Sequence, residues 1–216
     1  MRFRDRRDAG QHLARELAPL GLAPATLFAI PRGGVVVADA IVQALGWPLD
    51  LAVPRKLRAP ANPELAFGAV TGDGTVYLDG ALARTLHVDD GYLRSEITAQ
   101  IAEIVRRQAV YRGDRPAADV RGRTAVLVDD GLATGATAIA SVRMLRYQLA
   151  REVVVAIPVG PADAIRRLER EADRVICALR PASFLSVGEF YEDFTQTADE
   201  EVVATLARAW GQAKAS

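Results

Sequence analysis

The sequence predicts an α/β domain: a doubly wound, mainly parallel sheet flanked by helices, with a β-hairpin flexible loop and a small C-terminal hood. Two observations predict the core. Short apolar runs at 26–30, 49–53, 124–128, 153–158 and 175–179 alternate with helical patterns of about 10 to 15 residues. The run at 124–128 carries no polar alternation in its interior, as expected of a strand buried on both faces. One domain spanning 1–216 is the economical reading, since no internal repeat or low-complexity segment interrupts it.

Each element follows from local pattern. Ala9, Leu13, Leu17 and Leu20 recur at helical spacing and define an opening helix over 5–20. The 21–24 segment breaks it, and the run at 26–30 ends in Pro31-Arg32-Gly33-Gly34 before a helix to Leu45. The strand at 49–53 leads to Pro54-Arg55-Lys56. Residues 57–74 are rich in Pro, Gly, Ala and Asn, the least regular part of the chain. Within them, 64–70 and 75–78 can pair as a hairpin across Gly72-Asp73-Gly74. Leu93, Ile97, Ile101 and Ile104 mark a long helix over 89–111, and 113–122 is a polar connector.

The second half alternates regularly. The strand at 124–128 feeds a loop and a helix to Leu149, then a strand at 153–158 and a helix from Pro161 to Ala172. A strand at 175–179 follows, and Thr197-Ala198-Asp199-Glu200 is a capping-box pattern before a closing helix.

Composition excludes several function classes. Apolar residues make up 50% and charged residues 25%, a globular balance. Lys plus Arg number 27 and Asp plus Glu number 27, so no whole-molecule positive field for nucleic acid exists and no nucleic-acid partner is expected. Cys177 is the only cysteine, which removes internal disulfides and CxxC sites, and it reads as a core residue. His12 and His87 are the only histidines, too few for a histidine-rich metal site; both read as surface residues. The charged start Met-Arg-Phe-Arg-Asp-Arg-Arg is no secretory signal, and no run of 18 apolar residues exists. A soluble, cytoplasmic protein with no membrane partner is expected.

Ligands of open α/β sheets bind beyond the carboxyl ends of strands. After the most apolar strand come Val126-Leu127-Val128-Asp129-Asp130-Gly131-Leu132-Ala133-Thr134-Gly135-Ala136-Thr137. The glycines let backbone N–H groups converge on one anion, the following helix adds its N-terminal partial charge, and the Thr134 and Thr137 hydroxyls can donate. That cradle suits a phosphate monoester; the paired acids beside it suit vicinal hydroxyls or a magnesium-bearing sugar. Neither GxxxxGK[ST] nor GxGxxG is present, which disfavours P-loop ATPases and dinucleotide enzymes.

This stretch resembles the signature of type I phosphoribosyltransferases, the loop that binds phosphoribosyl pyrophosphate (PRPP): four hydrophobic positions, two acids, a small-residue run with Thr-Gly, and a closing Thr. The resemblance extends over roughly 20–180. It implies Mg2+ held near Asp129 and Asp130, a 5-phosphate in 131–137, a small nitrogenous acceptor, release of pyrophosphate, and a homodimer. By position, Pro31-Arg32-Gly33-Gly34 is similar to the family's pyrophosphate loop, in which a non-proline cis peptide is common. Arg55 and Lys56 are similar to the basic residues that hold the leaving group. Residues 57–80 take the place of the mobile catalytic loop, where Glu64 could orient the acceptor, accept its proton or touch magnesium. Residues 181–216 take the place of the base-recognising hood. Its aromatic residues Phe184, Phe190, Tyr191 and Phe194 are ordinary core candidates, with Tyr191 a candidate for stacking on the acceptor.

One departure bears on the acceptor. The loop position of Ala133 is an aspartate in 6-oxopurine members of the family, so a close relative of the hypoxanthine-guanine enzymes is not expected. Two other classes remain open: a PRPP-sensing regulator of the same fold, and a sugar-phosphate hydrolase. The neutral charge balance counts against the first, and the lack of a GxSxG elbow or a Cys/His pair against the second.

Overall fold

The computed structural model describes residues 2–212 apart from Ala23 and Ala61. The elements run, in chain order, α1 (Arg6–Leu17), β1 (Ala25–Ala29), α2 (Gly33–Leu45), β2 (Leu49–Leu51), β3 (Arg55–Ala59), β4 (Asn62–Val70), β5 (Val76–Leu78), α3 (Gly80–Thr85) and α4 (Asp90–Arg112). They continue as β6 (Thr124–Val128), α5 (Ala136–Tyr147), β7 (Glu152–Val159), α6 (Ala162–Leu168), β8 (Arg174–Leu179) and α7 (Asp199–Gln212).

Five strands form one sheet in the order β2-β1-β6-β7-β8, and every neighbouring pair is parallel. Continuous apolar strands allow this because successive side chains feed opposite cores. Leu27, Ala29, Val126 and Val128 enter one core with Leu13, Ile41 and Leu206. Phe28, Ala125 and Leu127 enter the other with Ile139, Leu145 and Ile165. Helices α1, α2 and α7 therefore cover one face and α5 and α6 the other, the doubly wound arrangement.

The strand order reverses between β1 and β6. From β1 the chain steps outward to β2, then returns to the far side of β1 as β6. Loops leaving adjacent strands on either side of such a reversal diverge and open a crevice. The loops in question are Pro31-Arg32-Gly33-Gly34 and Asp129-Asp130-Gly131.

Several expectations need correction. The stretch around 57–80 is not irregular: β3, β4 and β5 make a three-stranded antiparallel sheet, with Leu57, Phe67, Ala69 and Val70 buried. The hairpin across residues 71–75 is there, but β3 is a strand that its two arginines, one lysine and one leucine did not announce. Residues 57–80, the segment in the place of the mobile loop, hold most of this sheet, which reaches the core through apolar side chains. Arg55 and Lys56 open β3 rather than end the preceding strand. The opening helix ends at Leu17 and passes into a 3-10 turn, Ala18–Leu20, where Pro19 cannot donate. Pro161 caps α6 in an extended conformation, and the helix stops at Leu168. In the expected hood, α7 packs on α2, α4 and β2 and buries Val202, Leu206 and Ala209, so it completes a core; residues 181–198 are the part beside the crevice.

Candidate active site

The crevice at the β1/β6 reversal is a cleft of about 350 Å³. One wall is the loop after β6: Asp129, Asp130, Gly131, Leu132, Ala133, Thr134 and Gly135, with Thr137 from the first turn of α5. The opposite wall is Ile30, Pro31, Arg32 and Gly33 from the loop after β1, with Lys56 from the start of β3. Arg6, Val187, Phe194, Gln196 and Thr197 close the third side.

The β6 loop has the form of an anion nest. Gly135 sits at φ +80°, the left-handed region, immediately before α5, a conformation that glycine adopts without a Cβ penalty. Leu132 is buried and its N–H donates to Val159 O at 2.8 Å, which anchors the loop to β7. The N–H groups of Ala133, Thr134 and Gly135 donate to no group among the described residues. They stand beside the open first turn of α5, where unpaired N–H groups and the helix dipole favour negative charge. Ala136 is buried beneath this rim as the first residue of α5.

The two acids differ. Asp130 Oδ2 accepts from Arg6 Nε at 2.8 Å. Asp129 makes no ion pair among the described residues, and its Oδ1 accepts from the Asp130 N–H at 2.8 Å. Burial above all, and then the neighbouring Asp130 charge, hold the Asp129 carboxyl well above the usual carboxylate range.

The two loops are in close contact, which explains the glycine pair in the first. A Cβ on Gly33 would overlap the Asp130 carboxylate, and one on Gly34 would press on Val128 O at 2.8 Å. The Pro31–Arg32 peptide is cis. Arg32 reaches Asp199 at the start of α7, Nη1 to Oδ1 at 3.7 Å.

Arg55 is displaced from this cleft. Its Nε donates to Gln100 at 3.0 Å, and its side chain lines an adjoining basic cleft of about 310 Å³ with Lys56, Arg58 and Arg107. Burial, Arg107 and Arg58 together lower the Arg55 pKa. Glu64 falls on β4, and its side chain lies outside the described residues.

Arg6 is the site residue that sequence reasoning missed. It sits in the first turn of α1, where it reads as one more charge in a charged segment, and only tertiary folding places it against Asp130. Tyr191 requires a correction as well. It is buried between Phe3 (5.6 Å between ring centroids) and Phe194 (4.9 Å), so its ring is not open to an acceptor. Phe184 and Phe190 stack on each other at 5.7 Å in the same cluster. Phe194 alone of the four lines the cleft. Cys177 is half-buried, and burial pushes its thiol up to about 11, in keeping with a core role. His12 pairs with Glu16 on α1 at 3.1 Å, and His87 lies in the turn after α3, so neither lines the cleft.

The chain is similar to known proteins in sequence and in fold. The model of the phosphoribosyl transferase domain matches residues 6–194. "Putative phosphoribosyl transferase Rv0571c" of Mycobacterium tuberculosis H37Rv is 45% identical over 207 residues, covering 96% of this chain and 47% of that protein. The chain thus spans about half the length of the curated relatives it matches. The crystal structure of TT1426 from Thermus thermophilus superimposes with a TM-score of 0.83 at 44% identity, covering 96% of this chain and 99% of that one. The AQ2163 protein from Aquifex aeolicus shares the fold at a TM-score of 0.50 and 11% identity, over 80% of this chain and 73% of its own.

Proposed function

From the premise that the chain belongs to the phosphoribosyl transferase family, we propose that it transfers the 5-phosphoribosyl group of PRPP to a small nitrogenous acceptor and releases pyrophosphate. The observation that carries this reading is the convergence on one cleft of an anion nest and two adjacent acids from the loop after β6, Arg32 from the loop after β1 and Lys56 from the start of β3. A molecule with a phosphate at one end, hydroxyls in the middle and a pyrophosphate at the other has that charge pattern.

In this reading the 5-phosphate rests on the N–H groups of 133–135 and the Thr134 and Thr137 hydroxyls. Asp129 and Asp130 accept from the ribose hydroxyls. Arg32 and Lys56 face the departing pyrophosphate, with the adjoining Arg55 beyond them, and stabilise the negative charge that grows there. The acceptor nitrogen displaces pyrophosphate at C1 through a transition state with positive charge on the ribose, which the Asp129 and Asp130 carboxylates offset.

The donor set also fits magnesium carried by the substrate. Among the described residues no group of three or more His, Cys, Asp or Glu side chains could hold a metal, whereas two adjacent carboxylates plus substrate oxygens match the habit of this ion. When bound, it supplies neutralising charge to the phosphates. We further propose a cytoplasmic homodimer; among the described residues no helix is long and apolar enough to cross a membrane.

Ala133 shapes acceptor choice. It puts a methyl group on the exposed rim of the loop, so position 133 offers no carboxylate to a purine N7. Glu64 is the nearest acid by sequence logic to supply that base, or the acceptor is already ionised. A pyrophosphate-release screen with magnesium, PRPP and a panel of nucleobases and other nitrogen compounds tests both statements. The expected result is release with at least one non-oxopurine acceptor, and kcat/KM for hypoxanthine and guanine below ~10⁴ M⁻¹s⁻¹, the lower edge of ordinary enzymes. No PRPP-dependent release with any acceptor would refute the transferase reading.

A further inference from the structure

The two acids of the cleft are treated differently by the fold, and the difference originates in Arg6. Its guanidinium is held on three sides. Nε donates to Asp130 Oδ2 at 2.8 Å, Nη1 donates to Thr195 O at 2.8 Å, and Cζ lies 4.0 Å over the Phe194 ring. The Arg6 and Asp130 side chains are only 10% and 18% exposed, so this is a shielded, directional pair and not a surface contact.

The backbone around it is fixed as well. Phe3 N–H donates to Phe190 O at 2.8 Å, Glu192 N–H to Phe3 O at 2.8 Å, and Asp193 N–H to Arg4 O at 2.9 Å. The segment before α1 is thereby pinned to the segment that carries Phe194 and Thr195. The loop after β1 closes the arrangement, because Gly33 backs directly onto both the Asp130 carboxylate and Arg6 Nε.

We infer that Arg6 is a positioning residue that fixes Asp130 and divides the labour of the acidic pair. Arg6 occupies one oxygen of Asp130 and locks its orientation, while Asp129 stays unpaired toward the ribose. Two adjacent carboxylates free to rotate would present many arrangements to a pair of vicinal hydroxyls; one clamped by an ion pair and one tied only through the Asp130 N–H present few. The inference rests on the transferase reading, since it assigns the pair to the ribose hydroxyls. It adds a residue from outside the loop.

The test compares two ligands by calorimetry in wild type, R6Q and R6K: PRPP with magnesium, which has ribose hydroxyls, and inorganic phosphate, which has none. R6Q is expected to weaken PRPP at least tenfold and to leave phosphate within about twofold, because the 133–135 nest does not touch Arg6. R6K keeps the charge but loses the fork, and is expected to fall between R6Q and wild type for PRPP. A folded R6Q that binds PRPP like wild type overturns the inference, as does equal weakening of both ligands, which would mark Arg6 as general scaffolding. Should R6Q fail to fold, R6K decides: wild-type PRPP affinity in R6K overturns the inference and a selective loss upholds it. Failure of the wild type itself to bind PRPP would refute the transferase reading, and this inference with it, and is distinguishable from a failure confined to the variants.

Discussion

The hydroxyl of Tyr191 donates a 2.6 Å hydrogen bond to the main-chain oxygen of Asp130, so the segment after β8 braces the acidic turn from behind. The ring that carries this hydroxyl is buried among Phe3 and Phe194, and its burial pushes the phenol pKa well up, which keeps it a proton donor at any ordinary pH. The cleft is therefore held by both ends of the chain: Arg6 near the start grips the Asp130 side chain, and Tyr191 near the end grips its backbone.

Tyr191→Phe should expose the cost of that brace. The ring packing survives, but a part-buried carbonyl loses its donor, a loss of up to about 1–3 kcal/mol. For a chain of this size each kcal/mol corresponds to roughly 2–4 °C in Tm. Calorimetric melting that shows no change would mean that the bond contributes nothing.

Gly33→Ala should damage the cleft more than its size implies. The added methyl overlaps the Asp130 carboxylate, so either the loop after β1 or the acidic pair must shift. PRPP affinity should fall at least tenfold, about 1.4 kcal/mol. Gly211→Ala, where a Cβ meets nothing within 4 Å, serves as the control and should leave Tm unchanged or higher. Equal affinities for PRPP in G33A and G211A would contradict the contact.

Asp129→Asn should trade binding for stability. In the folded chain the Asp129 pKa is raised by burial and by Asp130, so its contribution to stability is fully present below the unfolded pKa, near 3.9, and is lost as pH rises through the folded value. Asparagine removes that loss. D129N should melt at the wild-type temperature or above at neutral pH, while PRPP affinity drops tenfold or more. Melting curves and calorimetry on the same sample check the pair of outcomes, and a lower Tm at neutral pH would show the sign to be wrong.

Lys56→Met separates the two ends of the substrate. Lys56 sits on β3, a different element from the nest of 133–135, and makes no ion pair among the described residues. Turnover and PRPP affinity should fall, while ribose 5-phosphate, which lacks pyrophosphate, should bind within about twofold of wild type. Equal losses for both ligands would put Lys56 at the 5-phosphate.

The sequence was legible wherever one element decided its own fate. The apolar run Thr124–Val128 and the glycines and threonines after it announced strand, nest and helix, because burial on two faces and a left-handed Gly135 leave local signatures. Gly33 and Gly34 were visible as a turn, although the group that excludes a side chain there, Asp130, lies far along the chain. Other features depended on distant partners. Arg6 looked like solvated charge until α1 met the 190–197 segment. Strand β3 was hidden because alternating Arg55, Lys56, Leu57 and Arg58 gain their strand partners only from β4. Tyr191 was readable as aromatic but not as buried, since Phe3, nearly the whole chain away, covers it.

The direction in which PRPP lies along the cleft is tested most directly by a crystal structure of the protein with PRPP and magnesium. The expected result is the 5-phosphate within hydrogen-bonding distance of the 133–135 N–H groups, the ribose hydroxyls at Asp129 and Asp130, and the pyrophosphate between Arg32 and Lys56. A ligand lying in the reverse direction, with pyrophosphate in the 133–135 nest, or density confined to the basic cleft of Arg55, Arg58 and Arg107, would contradict it.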